Sequence, residues 1–430
     1  MITSTIPEQN AVGAPPPLLR KGSSFYSPAT REIVQTVVNI WKDDKSTEHL
    51  SYAKLLALLK QQNPSWGLSE KRLKASLKEF NLEPNPQLYT YVSKTVSTVS
   101  PELETMLPKG IKVSVTKTRG KALYATKNFK AGDVLWAEEP LVLAPKVEFL
   151  RIRRTGSACS YCAKALRQID GQLVAATGGI PCKKCTGNWC STGCQKRDVL
   201  HEDMYHNSVR NRLNYLQWIE FEKFCMDNNW RAGYLYGLVV LRKARKDAKK
   251  SFIPLIDSMA KVRQDVRQKA VSDEGTLEFE QHETMWKEGY KLLYKAVKSV
   301  YRLSYDEFQE GIGMVNINNV HNCIFAIHSH LNHSCQPNAE VETISMAEGI
   351  RVKALSDISA GQEVTVTYVD PESSYDDRRY KLRINWGFIC HCPRCKKDAT
   401  KPVQVPDQSP VQARERSRSV RFDNNPVTEI

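Results

Sequence analysis

Eight cysteine and histidine residues lie in one short stretch of the chain, at spacings that suit metal binding. Two CxxC pairs are followed by a CxxxC pair and a His-x4-His pair: Cys159, Cys162, Cys182, Cys185, Cys190, Cys194, His201 and His206. Thiolate sulfur and imidazole nitrogen are ligands that zinc prefers, and a structural zinc site holds four of them in a tetrahedron. Successive paired spacings are typical of metal sites rather than of unrelated reduced cysteines. The sequence therefore predicts two closed zinc sites here.

A second cysteine cluster, near the C-terminal end, is one ligand short of a site. Its three thiolates belong to Cys390, Cys392 and Cys395. Because a tetrahedral zinc site needs a fourth ligand, it must come from elsewhere, and Cys335 is the best candidate. The ligand count then predicts about three zinc ions per chain. Cys225 and Cys323 remain as reduced core thiols.

Four sequence blocks resemble the signature motifs of SET-domain protein lysine methyltransferases. They are RGKALYAT from Arg119, the Asn-His-Ser-Cys-x-Pro-Asn motif at 332–338, GQEVTVTYVD around Tyr368, and the CxCxxC tail from Cys390. The resemblance covers about residues 110 to 396. It implies an α+β fold with a β-rich SET domain, and methyl transfer from S-adenosylmethionine to a lysine ε-amine.

The first cysteine cluster resembles a MYND-type zinc finger, in which two zinc sites interleave along the chain. Trp189 and Asp198 are part of the match. The family usually ends with a cysteine where this chain has Tyr205, so His206 is the expected substitute for the eighth ligand. A MYND finger between two halves of a SET domain is typical of SET-and-MYND proteins. The whole layout is most similar to the fungal SET-five group of histone methyltransferases.

The resemblance also implies roles for single residues in the methyl transfer. In this in-line displacement a neutral ε-amine attacks the sulfonium methyl, so the lysine must lose its proton and its water in a narrow aromatic channel. The cofactor must enter from the opposite side. Tyr368 matches the residue that orients the methyl group. Tyr375 and Trp386 could line the channel, but packing is the expected role for both.

Cofactor binding is expected from the blocks on either side of the inserted segments. Asn332 and His333 match positions that bind the amino-acid and adenine parts, and the loop before Ala122 matches one that meets the carboxylate. The family usually has a glycine where Ala122 stands. The expected cofactor-binding residues are Arg119, Gly120, Lys121, Asn332, His333, Tyr368 and Phe388.

Changes of composition and periodicity, together with the SET and MYND resemblances, divide the chain into eight segments. They are a disordered arm (1–22), a helical N-terminal unit (23–100), the N-terminal part of the SET domain (110–150), the MYND-like finger (157–206), a helical insert (207–310), the C-terminal part of the SET domain (311–369), a post-SET zinc region (370–397) and a disordered basic tail (398–430).

Alternating apolar residues predict the strands of the SET segments. One strand is expected from Ile111, and a turn at 131–133 separates the next two short β-like runs. Strand character is expected to return from about Ile312. A final strand should carry Val364, Val366 and Tyr368 on one face.

Helical spacing predicts the other two structured segments. In the insert it places Tyr290, Leu293, Tyr294, Val297, Val300 and Tyr301 on one face. In the N-terminal unit, Leu68 and Leu73 stand at the spacing of a hydrophobic staple, and Leu77 and Phe80 should continue that face. The basic residues of this unit are either a solvated helix face, which is the favoured interpretation, or a helix-turn-helix surface for DNA.

The chain has 430 residues and a formal net charge of +15. Its longest apolar stretch, 233–241, is far shorter than the roughly 20 residues that span a bilayer, and its N-terminus lacks the pattern of a signal peptide. We therefore expect an intracellular, soluble protein that is away from membranes. The nucleus and cytoplasm are its expected locations, and a monomer is its expected state, although the sequence does not determine the oligomeric state. The basic charge allows contact with DNA or nucleosomes.

Two classes of function remain at this point. The first is a methyltransferase of a lysine-bearing protein, with histone H4 as the substrate that the resemblance suggests and a non-histone protein as the alternative. The second is a chromatin adaptor whose SET fold has lost its activity. For the enzyme, a basic substrate needs local negative charge, which a stretch after Tyr368 could supply: Asp370, Glu372, Asp376 and Asp377.

Overall fold

The computed structural model describes residues 26–43, 47, 50–80, 82, 99–116, 120–166, 179–206, 213–271 and 276–399. The chain divides into two compact units, residues 1–85 and 86–430. The predicted disordered arm, and the predicted tail beyond Ala399, lie outside the described residues. Mixed helices and strands confirm the α+β prediction.

The described residues of the N-terminal unit form three helices: α1 (Thr30–Asp43), α2 (Tyr52–Gln62) and α3 (Glu70–Glu79). The hydroxyl of Ser69 caps α3 by accepting from the N–H of Arg72. Leu68 and Leu73 are both buried, as the staple predicted. Phe80 is 41% exposed, so the prediction that it continues this face is wrong. It follows the last residue of α3, where helical spacing no longer applies.

In the described part of the second unit, short strands form five small sheets. The strands are β1 (Ile111–Thr116), β2 (Gly120–Ala125), β3 (Val134–Glu138), β4 (Val142–Leu143), β5 (Ile180–Pro181), β6 (Asn188–Trp189), β7 (Asn319–Val320), β8 (Cys323–Ile324), β9 (Asn332–His333), β10 (Ala339–Ser345), β11 (Gly349–Ala354) and β12 (Thr365–Val366). The sheets are β1-β2, β10-β11-β3, β4-β8-β7, β5-β6 and the parallel pair β12-β9. The predicted turn at 131–133 is present, and Gly132 there has a φ of +88°, which favours glycine.

Helices surround these sheets. They are α4 (Pro101–Met106), α5 (Leu150–Arg154), α6 (Thr192–Arg197), α7 (His201–Tyr205), α8 (Tyr215–Asp227), α9 (Arg231–Ala244), α10 (Ala248–Ser251), α11 (Ile253–Asp257), α12 (Gln264–Gln268), α13 (Leu277–Val297), α14 (Tyr305–Asn318), α15 (Tyr375–Trp386) and α16 (Pro393–Ala399). In the part of the chain that the structure describes, no helix is both long and apolar enough to cross a bilayer.

Helix α14 corrects one sequence prediction. Strand character was expected from about Ile312, but the residues up to Asn318 are helical. The Ser304 hydroxyl caps this helix by accepting from the N–H of Glu307, and Ile312 lies in the helical core. A short apolar run fits a buried helix as well as a strand, and the cap decides between them.

The predicted aromatic stripe of α13 is only partly a core face. Leu293 and Val297 are fully buried, whereas the side chain of Tyr294 is 42% exposed. One hydrophobic core lies among the helices of the insert, and a second lies under the strands. The second core contains Leu123, Leu331, Val364 and Val366, so the segments with the SET-like motifs share one apolar base.

Candidate active site and metal centres

The segment after β9 is bound to the segment around β12. Asn332 pairs with Thr365 and His333 with Val366 in the parallel ladder. The Asn338 side chain accepts from the N–H of Thr365 at 2.8 Å and donates to the carbonyl of Glu363 at 2.8 Å. These bonds fix where the chain leaves β12, and Tyr368 lies two residues beyond it.

Tyr368 is half-buried in an aromatic group. Its hydroxyl donates to the carbonyl oxygen of Leu331, and its N–H donates to Nδ1 of His333 at 3.0 Å. Ring centroids lie 5.3 Å away at His333, 5.1 Å at Trp386 and 6.4 Å at Phe388. The sequence-predicted Tyr368, His333 and Phe388 therefore lie together.

Trp386 and Tyr375, the two aromatic residues that could line the lysine channel, make different contacts. Trp386 packs on the ring of Tyr368 and donates from Nε1 to the carbonyl of Ile317 at 3.2 Å. Tyr375 begins α15, and its hydroxyl accepts from Arg379 at 2.7 Å. Trp386 is thus held beside the tyrosine by α14.

Asn332 brings the predicted N-terminal cofactor loop to the same place. Its Nδ2 donates to the carbonyl of Lys121 at 3.2 Å and to Oε1 of Glu363 at 2.9 Å. Gly120 and Lys121 open β2, so the structure brings them to Asn332. Arg119 lies outside the described residues.

The Lys121 ammonium is buried beside the helical insert. Its Nζ donates to the carbonyl of Ser258 at 2.7 Å, and burial lowers the pKa of Lys121 to about 8. Nearby, Nε2 of His330 is buried and has no hydrogen-bond partner among the described residues. Burial, with the charge of Lys121 as a further cause, lowers the pKa of His330 to about 3, so its ring is neutral at pH 7.

These groups fit the amino-acid end of S-adenosylmethionine. A cationic Lys121 suits its carboxylate, and the orphaned Nε2 of His330 offers a further polar contact, because an unpaired buried polar atom is costly. The ring of Phe388, whose centroid lies 6.4 Å from that of Tyr368, suits the less polar end. Sequence reasoning missed His330 and Ser258. The run of histidines at 328, 330 and 333 could have indicated His330. No local sequence pattern indicates Ser258.

Glu138 holds the turn that precedes Asn332, and no sequence pattern predicted this role. Its carboxylate accepts from the N–H of Ile327 at 2.6 Å and of His328 at 3.0 Å. Burial raises the pKa of Glu138 to about 7. The carboxylate thus supports the short 3₁₀ helix His328–His330 from β3.

The titration of Lys121 should appear in cofactor binding. Because the pKa of Lys121 is lowered to about 8, the ammonium charge is present at pH 7 and lost as the pH rises through that value. The dissociation constant of S-adenosylhomocysteine should then rise by about tenfold between pH 7 and pH 9, as one lost charge predicts. Calorimetry over this range measures it.

Lys121→Arg is the control, since a guanidinium stays charged throughout. This variant should lose most of the rise in the dissociation constant. A wild-type constant that does not change with pH, or the same profile in both proteins, would contradict the role of Lys121.

The post-SET cluster gathers its predicted four ligands. Ligand atoms of Cys335, Cys390, Cys392 and Cys395 all lie within 4.8 Å of one another. Cys335 comes from the loop after β9, and its Sγ lies 3.5 Å from Sγ of Cys395. Arg394 also donates to the carbonyl of Cys335, at 3.1 Å. The cysteine segment 390–395 is therefore held against the loop that follows Asn332 and His333.

The finger residues form two further groups of four, and the groups interleave along the chain. One contains Cys159, Cys162, Cys190 and Cys194, and the other contains Cys182, Cys185, His201 and His206. His206 takes the last place, with Nε2 3.3 Å from Sγ of Cys182. Tyr205, at the position where a cysteine was expected, stacks on His201 instead, with centroids 4.8 Å apart.

The matched Trp189 and Asp198 stand behind the second group. Nε1 of Trp189 donates to Oδ2 of Asp198 at 2.8 Å, and that oxygen lies 3.6 Å from Nδ1 of His201. A carboxylate behind a histidine is a common outer partner of a metal ligand, because it orients the ring. The donor sets of all three groups, sulfur with some imidazole nitrogen, fit zinc.

Comparison with known proteins agrees with this geometry. The SET domain family model matches residues 120–369. "Histone-lysine N-methyltransferase SET5" of Yarrowia lipolytica is 40% identical over 383 residues, which cover 89% of this chain and 85% of that protein. The protein of the same name from Meyerozyma guilliermondii is 37% identical, over 89% of this chain and 82% of its own length.

A solved structure, the SET domain of LSMT bound to lysine and AdoHcy, is a more distant match. It is 13% identical with a TM-score of 0.34, and the match covers 73% of this chain and 55% of that one. This likeness is too low to transfer any detail of the site.

The SET domain model matches more than half of the chain, including the parallel strands β9 and β12, so the chain belongs to the SET-domain family. The long matches to SET5 proteins place it beside them within that family. It is a protein lysine N-methyltransferase that uses S-adenosylmethionine, which confirms the predicted class of enzyme.

Proposed function

We propose that this methyltransferase acts on a histone, with histone H4 as its substrate. The observation that carries the proposal is the intact site, in which the paired strands β9 and β12 bring Asn332 to Lys121 and His333 to Tyr368. The names of the most similar relatives support a histone as the acceptor. The adaptor alternative has less support, because it predicts loss of residues that this chain keeps.

The aromatic group explains how the acceptor amine becomes a nucleophile. An ammonium group that enters beside Tyr368 and Trp386 leaves water, and desolvation favours its neutral form. When bound, S-adenosylmethionine supplies the electrophilic sulfonium methyl. The residues around Asn332 would hold it so that amine, carbon and sulfur are collinear.

The Tyr368 hydroxyl is oriented for this step. Because its proton is donated to the carbonyl of Leu331, its oxygen lone pairs face away from that bond. They can accept a hydrogen bond from the acceptor amine, or weak C–H contacts from the methyl group. Tyr368 would thus fix the approach of the two reacting groups.

Acidic residues after Tyr368 support a basic substrate. Asp370 and Glu372 are exposed, and Asp370 accepts from the N–H of Glu372 at 2.9 Å. Asp376 lies in the first turn of α15, whereas Asp377 is paired with Lys381 at 2.9 Å. Glu372 and Asp376 are therefore the best carriers of charge toward a histone tail.

Reversing these charges should weaken capture of a basic peptide. For Glu372→Lys/Asp376→Lys we expect the KM of an H4 tail peptide to rise by about fivefold, because two attractive partners become repulsive. The kcat at saturating peptide should change by less than about twofold. Steady-state kinetics with labelled cofactor measures both.

Glu280→Lys is the matched control, because it reverses an exposed carboxylate on α13 of the insert. It should leave the KM unchanged. An unchanged KM in the double variant would contradict the proposal that this surface captures the histone tail.

We extend the proposal to zinc in the three cysteine groups. Twelve ligands in sets of four predict about three ions, and the ion at Cys335 would hold the loop after β9 against the tail.

A histone substrate would also place the protein in the nucleus, and in the cytoplasm where new histones are made. Lys71, Lys74 and Lys78, exposed on α3, support contact with nucleosomal DNA.

The substrate proposal is tested with a panel. Wild-type protein and labelled cofactor are mixed with separate core histones, with nucleosomes and with a whole-cell extract. Label on H4 above the other histones supports the proposal. Label only on non-histone bands of the extract would replace a histone with another protein substrate.

A further inference from the structure

We propose that the His333 imidazole is a positioning residue that connects the post-SET cysteine cluster to Tyr368. This proposal rests on the role that the proposed function gives to Tyr368. The inference adds that Tyr368 is held by a side chain whose other end is fixed by a metal ligand. The state of the metal site would then set the rate of methyl transfer.

Both ring nitrogens of His333 are engaged, in opposite directions. Nδ1 accepts from the backbone N–H of Tyr368 at 3.0 Å, and Nε2 lies 3.2 Å from Sγ of Cys335. The residue is only 3% exposed. The ring therefore spans the space between the tyrosine and the cluster.

The contact with Tyr368 decides which nitrogen carries the proton. Because Nδ1 accepts a hydrogen bond, it has no proton, and a neutral ring carries its proton on Nε2. That N–H points at the sulfur of Cys335, which is a thiolate when it binds metal. A charged acceptor makes this bond stronger than a neutral one. The metal-bound thiolate thus fixes the imidazole, and the imidazole fixes the backbone of Tyr368.

The same short segment holds the tyrosine at two points. Leu331 accepts from the Tyr368 hydroxyl, and His333 accepts from its N–H. Asn332, between them, donates to the carbonyl of Lys121 at the cofactor loop. A shift of Cys335 would therefore move the tyrosine relative to the cofactor.

This geometry also refines the resemblance-based expectation for His333. A ring with both nitrogens occupied has no free polar atom for the cofactor, so the imidazole should affect turnover more than cofactor affinity. Any cofactor contact at this position falls to the backbone of His333. A ring that served only as a cofactor contact would have the opposite effect.

Three substitutions separate the two bonds. In H333N the amide oxygen can replace Nδ1 and accept from Tyr368, but the side chain is too short for Cys335. In H333Q the amide nitrogen can replace Nε2 and donate to Cys335, while the bond to Tyr368 is lost. H333F keeps an aromatic ring and loses both bonds.

Each variant is measured in three ways: kcat and KM with labelled cofactor, the dissociation constant of S-adenosylhomocysteine by calorimetry, and the rate of zinc release to a chromogenic chelator. We expect H333Q to lower kcat by about tenfold, as the loss of one buried hydrogen bond predicts. Its zinc release should stay close to that of the wild type. H333N should release zinc about tenfold faster and lower kcat less than H333Q does.

H333F should show both effects, with the dissociation constant of S-adenosylhomocysteine unchanged in all three variants. Wild-type kcat and zinc release in a folded H333F would overturn the proposal. Weaker cofactor binding with unchanged kcat would overturn it too, in favour of a cofactor contact. If H333F fails to fold by circular dichroism, H333N and H333Q carry the test.

The proposed function can fail separately. If the wild-type protein methylates no histone, kcat is measured on the extract substrate that it does label. If the wild-type protein transfers no methyl group to any substrate, the proposed function fails. Zinc release then tests the connection through His333 alone, and equal rates of release from H333N, H333F and the wild type would overturn it.

Discussion

Tyr368→Phe should lower kcat for methyl transfer by about a hundredfold, the order seen when one polar group that acts in a transition state is removed. The change deletes only the hydroxyl, whose proton is donated to Leu331 and whose lone pairs face the proposed reaction centre. The ring still packs against Trp386 and Phe388. Substrate and cofactor should therefore still bind. Transfer from labelled cofactor to histones measures the loss.

Tyr375→Phe is the matched control for this variant. Tyr375 belongs to the same aromatic surroundings, but its hydroxyl accepts from Arg379 rather than bonding near Leu331. This control should keep a kcat within about twofold of the wild type. More than half of the wild-type kcat in Tyr368→Phe would refute the catalytic role of Tyr368.

Cys335→Ser should remove one zinc ion from each chain and abolish methyl transfer. The wild-type protein should contain about three ions, and the variant about two, because three thiolates cannot close a tetrahedral site. Without the ion the tail is released from the loop after β9, and a structural zinc site contributes roughly 10 kcal/mol or more. Metal analysis of the purified protein gives the stoichiometry.

Cys323→Ala is the control for the cysteine prediction. Cys323 is also buried, but it belongs to β8 and to none of the three cysteine groups. It should keep about three ions and its activity. A Cys335→Ser protein that still holds as much zinc as the wild type would exclude Cys335 as a ligand.

Local spacing determines which parts of the metal sites could be predicted from the sequence. A CxxC pair places two thiolates within reach of one ion by itself, so the ligand residues of the finger were visible without the fold. Their division into two interleaved groups came from the resemblance, because spacing alone cannot say which pairs meet. For the second cluster, the ligand count made Cys335 the best candidate, and the resemblance supplied the fold that brings it to Cys390, 55 residues away.

What the sequence could not predict depends on contacts between distant segments. The Glu138 carboxylate supports the turn at Ile327 across 189 residues, and Lys121 meets Ser258 across 137. Neither residue has a neighbour in the sequence that indicates such a contact. The strand expected at Ile312 failed for another reason: its apolar run fits either periodicity, and only the cap at Ser304 separates them.

The contact between Asn332 and Lys121 has a consequence for the synthesis of the protein. It spans 211 residues, so at about 5–20 residues per second the ribosome needs roughly 10–40 s to make the second partner after the first. The cysteine tail that holds Cys335 emerges later still. During that time Lys121 on β2 lacks its contact with Asn332, and a chain that ends before Asn332 cannot form the site. The site for methyl transfer can therefore form only late in the synthesis of each chain.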